Sequence, residues 1–94
     1  MKINEIKNGM NNIKLEARVV DIGETRKVRT RYGIRRVANA LIEDETGRIK
    51  LTLWENQIDE VSVGDEIEIS GAFASEFREE LQLTIPRSGK IKKI

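Results

Sequence analysis

The 94-residue chain contains no cysteine, no histidine and a single proline. Without cysteine there is no disulfide and no thiol chemistry. Without histidine the commonest general base and the commonest zinc ligand are both missing, so no Cys/His set remains to hold a zinc ion. No serine sits in a nucleophile elbow, and no glycine-rich phosphate loop occurs. No apolar run approaches the roughly eighteen residues of a membrane span, and the start, MKINEIKNGM, lacks the apolar stretch of a signal peptide. These absences predict one binding domain over residues 1–94, cytoplasmic, with no membrane contact, no cofactor, no metal and no catalysis.

Aromatic residues are scarce as well: Tyr32, Trp54, Phe73 and Phe77 are all there are. Charge is plentiful and almost balanced, 17 Lys and Arg against 16 Asp and Glu, for a formal net charge of +1. Its distribution is uneven. The stretch RKVRTRYGIRR, residues 26–36, holds six cations, and no acidic residue lies between Thr25 and Ile42. Charges on an exposed hairpin deter edge-to-edge aggregation, which accounts for one or two of them. Six of one sign repel each other unless an anionic partner neutralises them.

Alternation of apolar and polar residues recurs along the chain, the period of a half-buried strand. In residues 12–22, Ile13, Leu15, Ala17 and Val19 alternate with charges. The basic stretch follows, with Tyr32-Gly33 at its middle as a hairpin tip. Its return arm, residues 34–42, is read with Ala38, Ala40 and Ile42 inward and Val37, Asn39 and Leu41 outward, although its alternation also allows the opposite assignment. DETGR, residues 44–48, suits a type I turn opened by Asp44. The third strand, residues 49–54, turns Ile49, Leu51 and Leu53 inward and Lys50, Thr52 and Trp54 outward. A helical turn carrying Ile58 and Val61 leads to a fourth strand with Ile67 and Ile69 inward. A connection containing Phe73 and Phe77 leads to a fifth with Leu81, Leu83 and Ile85 inward, ended by Pro86. The tail GKIKKI is placed to pair briefly with the sheet, and Ile3, Ile6 and Met10 suggest an N-terminal helical turn over one barrel end.

Five short strands in so short a chain need closure to protect their edges. With a helical turn between the third and fourth, the pattern predicts an all-β, five-stranded Greek-key barrel of the OB type; an SH3-like barrel is the structural rival. In an OB barrel, oligonucleotides lie across strands two and three and the loops flanking them. The basic hairpin joins strands one and two, Trp54 sits outward on strand three beside Lys50 and Thr52, and Phe73 and Phe77 lie between strands four and five. Cations beside exposed rings are what a single strand needs, since phosphates pair with the first and unstacked bases lie on the second. The candidate contacts are therefore Trp54, Phe73, Phe77, Tyr32, Arg29, Arg31, Arg35, Lys50, Thr52 and Arg78. A core cap at the end of its strand is the competing role for Trp54.

The segment NGMNNIKLEARVVDIGETRKVRTRYGIRRVANALIEDETGRIKLTLW, followed by VSVGDEIEISGAFASEFREELQLT, resembles the archaeal single-OB single-stranded DNA-binding proteins and the OB domains of archaeal replication protein A. The resemblance covers nearly the whole chain. It implies sequence-tolerant binding of single-stranded DNA in replication, recombination and repair, with other OB domains or replication and repair proteins as further partners. It also implies that Trp54, Phe73 and Phe77 stack on bases. The long acidic or glycine-rich tail of the single-OB relatives is not in this sequence, which leaves a short member and one module of a longer protein equally open. Strand parity groups Phe73 with Ile67 and Ile69, hence inward, unless a bulge at Gly71 reverses it.

Other roles compete. An RNA-binding OB module of the tRNA-anticodon type shares this surface chemistry and differs in a reader for the 2′-hydroxyl. A protein-interaction module would use an apolar outward groove, for which Val37 and Leu41 are the candidates. A nuclease would gather Mg²⁺ on Glu43, Asp44 and Glu45, but adjacent strand residues point to opposite faces, and Asp44 has its own work in the turn.

Overall fold

The computed structural model describes residues 1–86 and 88–94. Its elements run as a 3₁₀ turn (Ile3–Glu5), β1 (Ile13–Ile22), β2 (Arg26–Thr30), β3 (Gly33–Asp44), β4 (Gly47–Trp54), α1 (Asn56–Glu60), β5 (Glu66–Phe77), β6 (Glu80–Thr84) and β7 (Lys90–Lys93). Hydrogen bonding follows the order β1-β3-β4-β6-β5, and β5 pairs back onto β1, so the five strands form a ring. All the ring pairings are antiparallel except β4 with β6, which is parallel. This is the all-β OB architecture that the sequence pattern predicts.

Closure depends on β1. Its first half pairs with β5 and its second half with β3, and Arg18 sits at the changeover, opposite both Glu66 and Glu43. A bulge between Val19 and Asp21 bends the strand there, which is how one strand serves two neighbours that curve apart. The inward alternation of β1 holds through Ile13, Leu15, Ala17 and Val19, all buried. They meet Ile42, Leu51, Leu53, Ile67, Ile69 and Leu83 in one core cluster.

The ends of the barrel are covered by short elements. At the start of β4, Ile3 and Ile6 are buried, and Asp44 ties the N-terminal segment down by accepting from the Ile3 amide at 2.8 Å. At the far end of β4, α1 and the segment after it contribute the half-buried Ile58 and the buried Val61. The tail forms β7, which pairs with β5 from Ile67 to Ser70. Among the described residues, no helix is long and apolar enough to cross a membrane.

The basic stretch forms the expected hairpin with its tip one residue earlier, and the Phe73–Phe77 segment is a strand where the sequence pattern suggests a connection. β2 and the first part of β3 make a hairpin whose two-residue tip is Arg31-Tyr32. The Thr30 hydroxyl accepts from the Tyr32 amide and donates to the Gly33 carbonyl, and Gly33 takes φ +104°, open to glycine at little cost. β5 continues without a break to Phe77, and its hairpin to β6 turns on Arg78 (φ 53°) and Glu79 (φ 66°). Two successive left-handed residues are the geometry of a type I′ turn, which matches the twist of the strands it joins.

Candidate nucleic-acid interface

Registers place the outward side chains on one grid. Asn39 lies opposite Thr52, Thr52 opposite Thr84, and Thr84 opposite Phe73. The next row on one side holds Val37 and Trp54. On the other side lie Leu41, Lys50, Gln82 and Ser75. Phe77, opposite Glu80, completes the face. Beyond Val37 the hairpin extends it, because Arg26 faces Val37 and Val28 faces Arg35. Trp54, Phe73, Phe77 and Arg35 thus share one outer surface of the barrel.

Phe73 reaches that surface through a reversal in β5. Ile67 and Ile69 point inward, but so do Ala72 and Ala74, and the odd positions beyond Gly71 point outward. Ile69 pairs with Leu15 while Ala72 pairs with Ile13, so β5 spends one extra residue at this point. Gly71, with φ +73°, absorbs it. A Cβ there would stand 3.0 Å from the Gly89 Cα, so both the angle and the space call for glycine. Phe73 is 37% exposed and Phe77 60%. The Arg78 guanidinium lies 5.2 Å from the centre of the Phe77 ring, a cation–π contact at the hairpin tip.

Trp54 closes β4 and is half-buried, outside the core cluster. Its amide donates to Gln57 Oε1 at 3.0 Å. The next residue, Glu55, adopts φ 50°, exchanges backbone and carboxylate hydrogen bonds with Arg36, and turns the chain into α1. Val37, expected outward and exposed, is outward but only 4% exposed. Its cross-strand neighbours are Trp54 and Arg26, long side chains that cover a short one. Leu41 is half-buried, so of the two apolar residues expected outward it alone remains partly open to solvent.

The cations divide into three sets. Arg26 and Arg35 are on the Trp54 face. Lys27, Arg29 and Arg36 are on the reverse of the hairpin, with Ile34 among them, and Arg31 and Tyr32 (74% exposed) occupy its tip. Among the described residues, only Arg36 of the six hairpin cations has an acidic partner, Asp59 at 3.1 Å and Glu55 at 3.9 Å. Five cations are left without a counter-charge. Lys50 differs: it is on the Trp54 face but paired with Glu80 at 2.9 Å. Thr52 is also on that face, yet only 9% exposed, sunk between Asn39 and Gln82. The sequence reading missed Arg26, Asn39, Gln82 and Thr84. Asn39 and Arg26 take their neighbours from the β3–β4 and β2–β3 ladders, while those of Gln82 and Thr84 depend on the β4–β6 pairing, which brings residues thirty-two apart side by side.

The three adjacent acids are each engaged elsewhere. Glu43 bridges Arg18 and Arg48, whose hydrogen bonds hold its carboxyl below the usual range. Burial works to raise Asp44, but hydrogen bonds from Thr46, Ile3 and Gly47 outweigh it and leave its value lowered. Glu45 pairs with Lys2, whose hydrogen bond lowers it too. Among the described residues, no group of acidic side chains converges as a metal site.

A closed OB barrel with an aromatic outer face and an unneutralised basic hairpin defines a class, the oligonucleotide-binding OB domains. Residues 6–93 match the family described as single-stranded DNA binding protein Ssb-like, OB fold. The chain belongs to that family. The single-stranded DNA binding protein Ssb of Saccharolobus solfataricus is 32% identical over 90 residues, which is 96% of this chain and 61% of that protein. The chain therefore spans about three-fifths of that relative's length. Among solved structures, the second OB-fold domain of replication protein A from Methanococcus maripaludis is 25% identical, with a TM-score of 0.82 over 100% of this chain and 93% of that one. The OB domain of a Thermoplasma acidophilum protein has a TM-score of 0.88 at 20% identity, covering 100% of this chain and 85% of that one, a likeness of fold.

Proposed function

We propose that this chain binds single-stranded DNA with little regard to sequence. Bases stack on Trp54, Phe73 and Phe77, while Arg26 and Arg35 on the same face, and Arg31 at the hairpin tip, meet the phosphates. The observation that carries this reading is the grid itself: three of the chain's four aromatic residues share one outer face, and the hairpin bordering it has five cations without acidic partners among the described residues. Membership of the Ssb-like family supports it, as does the name of the S. solfataricus relative. The role follows from the ligand: protecting single strands exposed in replication, recombination and repair, alongside other OB domains.

Trp54 is the only tryptophan, so its fluorescence reports the site directly. Titration with a single-stranded oligonucleotide should quench it, and the matching duplex should bind far more weakly, because pairing hides the base faces. Equal affinity for both would reduce the protein to a phosphate binder. A matched RNA strand in the same assay separates a DNA reader from an RNA reader.

A further inference from the structure

At the centre of the grid the Thr52 hydroxyl lies 3.4 Å from Asn39 Oδ1 and 3.5 Å from Gln82 Oε1. A hydroxyl has one proton to donate and two lone pairs. Two amide oxygens therefore compete for a single proton, at distances longer than the roughly 2.5–3.0 Å of a settled O–H···O bond. The amide that does not receive it does better turned end for end, donating its N–H to the hydroxyl and presenting its carbonyl outward. The other keeps its oxygen on Thr52 and presents its N–H₂ outward. Exchanging the two roles needs only two amide rotations and one hydroxyl rotation.

Trp54 follows Thr52 by two residues on β4, and Phe73 is two strands away along the same row. Both rings therefore flank this polar centre, within reach of the edge of a base stacked on either. We infer that Asn39 and Gln82, sharing the proton of Thr52, hydrogen-bond the base edge and switch polarity to suit it. This rests on the single-strand reading above and explains how it tolerates sequence. The site offers one donor and one acceptor whose positions interchange, so bases with either pattern are satisfied and none leaves a polar group stranded.

The test uses three strands of equal length, read by Trp54 quenching: thymidine, deoxycytidine, and thymidine with its bases replaced by an apolar isostere lacking carbonyls and N–H. Thymine and cytosine present opposite polarity at position 4, yet the wild type should bind both within about threefold, no more than the lower end of the effect of one hydrogen bond. The isostere strand should bind about 3- to 10-fold more weakly, the worth of one such bond. In the Asn39→Leu/Gln82→Met variant that last ratio should collapse towards one while the salt dependence stays as in the wild type, since no charge is removed. Gln82→Met alone, a milder change for folding, should shrink the ratio in the same direction. Unchanged ratios in the variants, equal wild-type binding of thymidine and isostere strands, or a thymidine–deoxycytidine preference beyond threefold would each overturn the inference. Failure of the wild type to bind any of the three would instead overturn the single-strand reading itself.

Discussion

Ile69 and Phe73 are four residues apart on one strand and point to opposite faces of the barrel. An uninterrupted strand would turn both inward. The extra residue at Gly71 separates them, so the outward position of the Phe73 ring depends on one left-handed backbone angle.

Gly71→Ala should therefore disturb both stability and binding. The left-handed angle alone costs an alanine roughly 1–2 kcal/mol, and the 3.0 Å approach to Gly89 adds to it. Phe73→Ala, in contrast, should weaken oligonucleotide binding by roughly 5- to 150-fold, the range of one stacked base, with little change in the unfolding midpoint. Chemical denaturation and fluorescence titration of the two variants separate these effects.

The cations should divide by their partners. Affinity falls with salt by a log–log slope of roughly −0.7 for each phosphate neutralised on a single strand. Arg35→Ala should reduce the slope by about that amount. Arg36→Ala, already committed to Asp59 and Glu55, should change it much less. Arg26→Ala with Arg35→Ala should remove up to about 1.4. Titrations over a range of salt concentration measure all three, and equal slopes for Arg35→Ala and Arg36→Ala would count against the division.

Glu80 pairs with Lys50 on the face that carries Trp54. Glu80→Gln should free that cation, steepen the slope by up to about 0.7 and raise affinity at low salt by about 2- to 5-fold, the worth of an exposed ion pair. A loss of affinity would mean that the pair positions Lys50 for the ligand instead of withholding it.

Stability should fall in acid. Glu43, Asp44 and Glu45 all have folded values below their ordinary ones. A depressed carboxyl contributes stability above its unfolded value, and the contribution is lost as pH falls through the folded one. Thermal midpoints should hold from pH 8 down to about 5 and drop below about 4, where unfolded carboxyls begin to take up protons. Asp44→Asn should flatten part of that drop.

Much of this was legible in the sequence, because alternation alone separated inward from outward residues in β1 and β4, while β3, apolar on both faces, allowed either assignment. The OB barrel followed from strand count and the helical turn after Trp54, and the family from the residues around DETGRIKLTLW. Three features were not legible. The outward turn of Phe73 hinges on a bulge whose effect parity cannot decide. The burial of Val37 and Thr52 on an outward face comes from long neighbours across the ladder. The commitment of Lys50 to Glu80 comes from the parallel β4–β6 pairing. Each depends on residues far apart in sequence, where periodicity carries no information.

The account rests most directly on Trp54. It is half-buried, outside the core cluster, and at the centre of the face formed by β3 and β4 with the basic hairpin. Trp54→Ala should lower affinity for a labelled single strand by roughly 5- to 150-fold in fluorescence anisotropy. Its stability loss should stay well under the roughly 3–5 kcal/mol of a truncated core aromatic. A variant whose unfolding midpoint collapses while its folded fraction binds with wild-type affinity would make Trp54 a core cap and contradict the stacking surface.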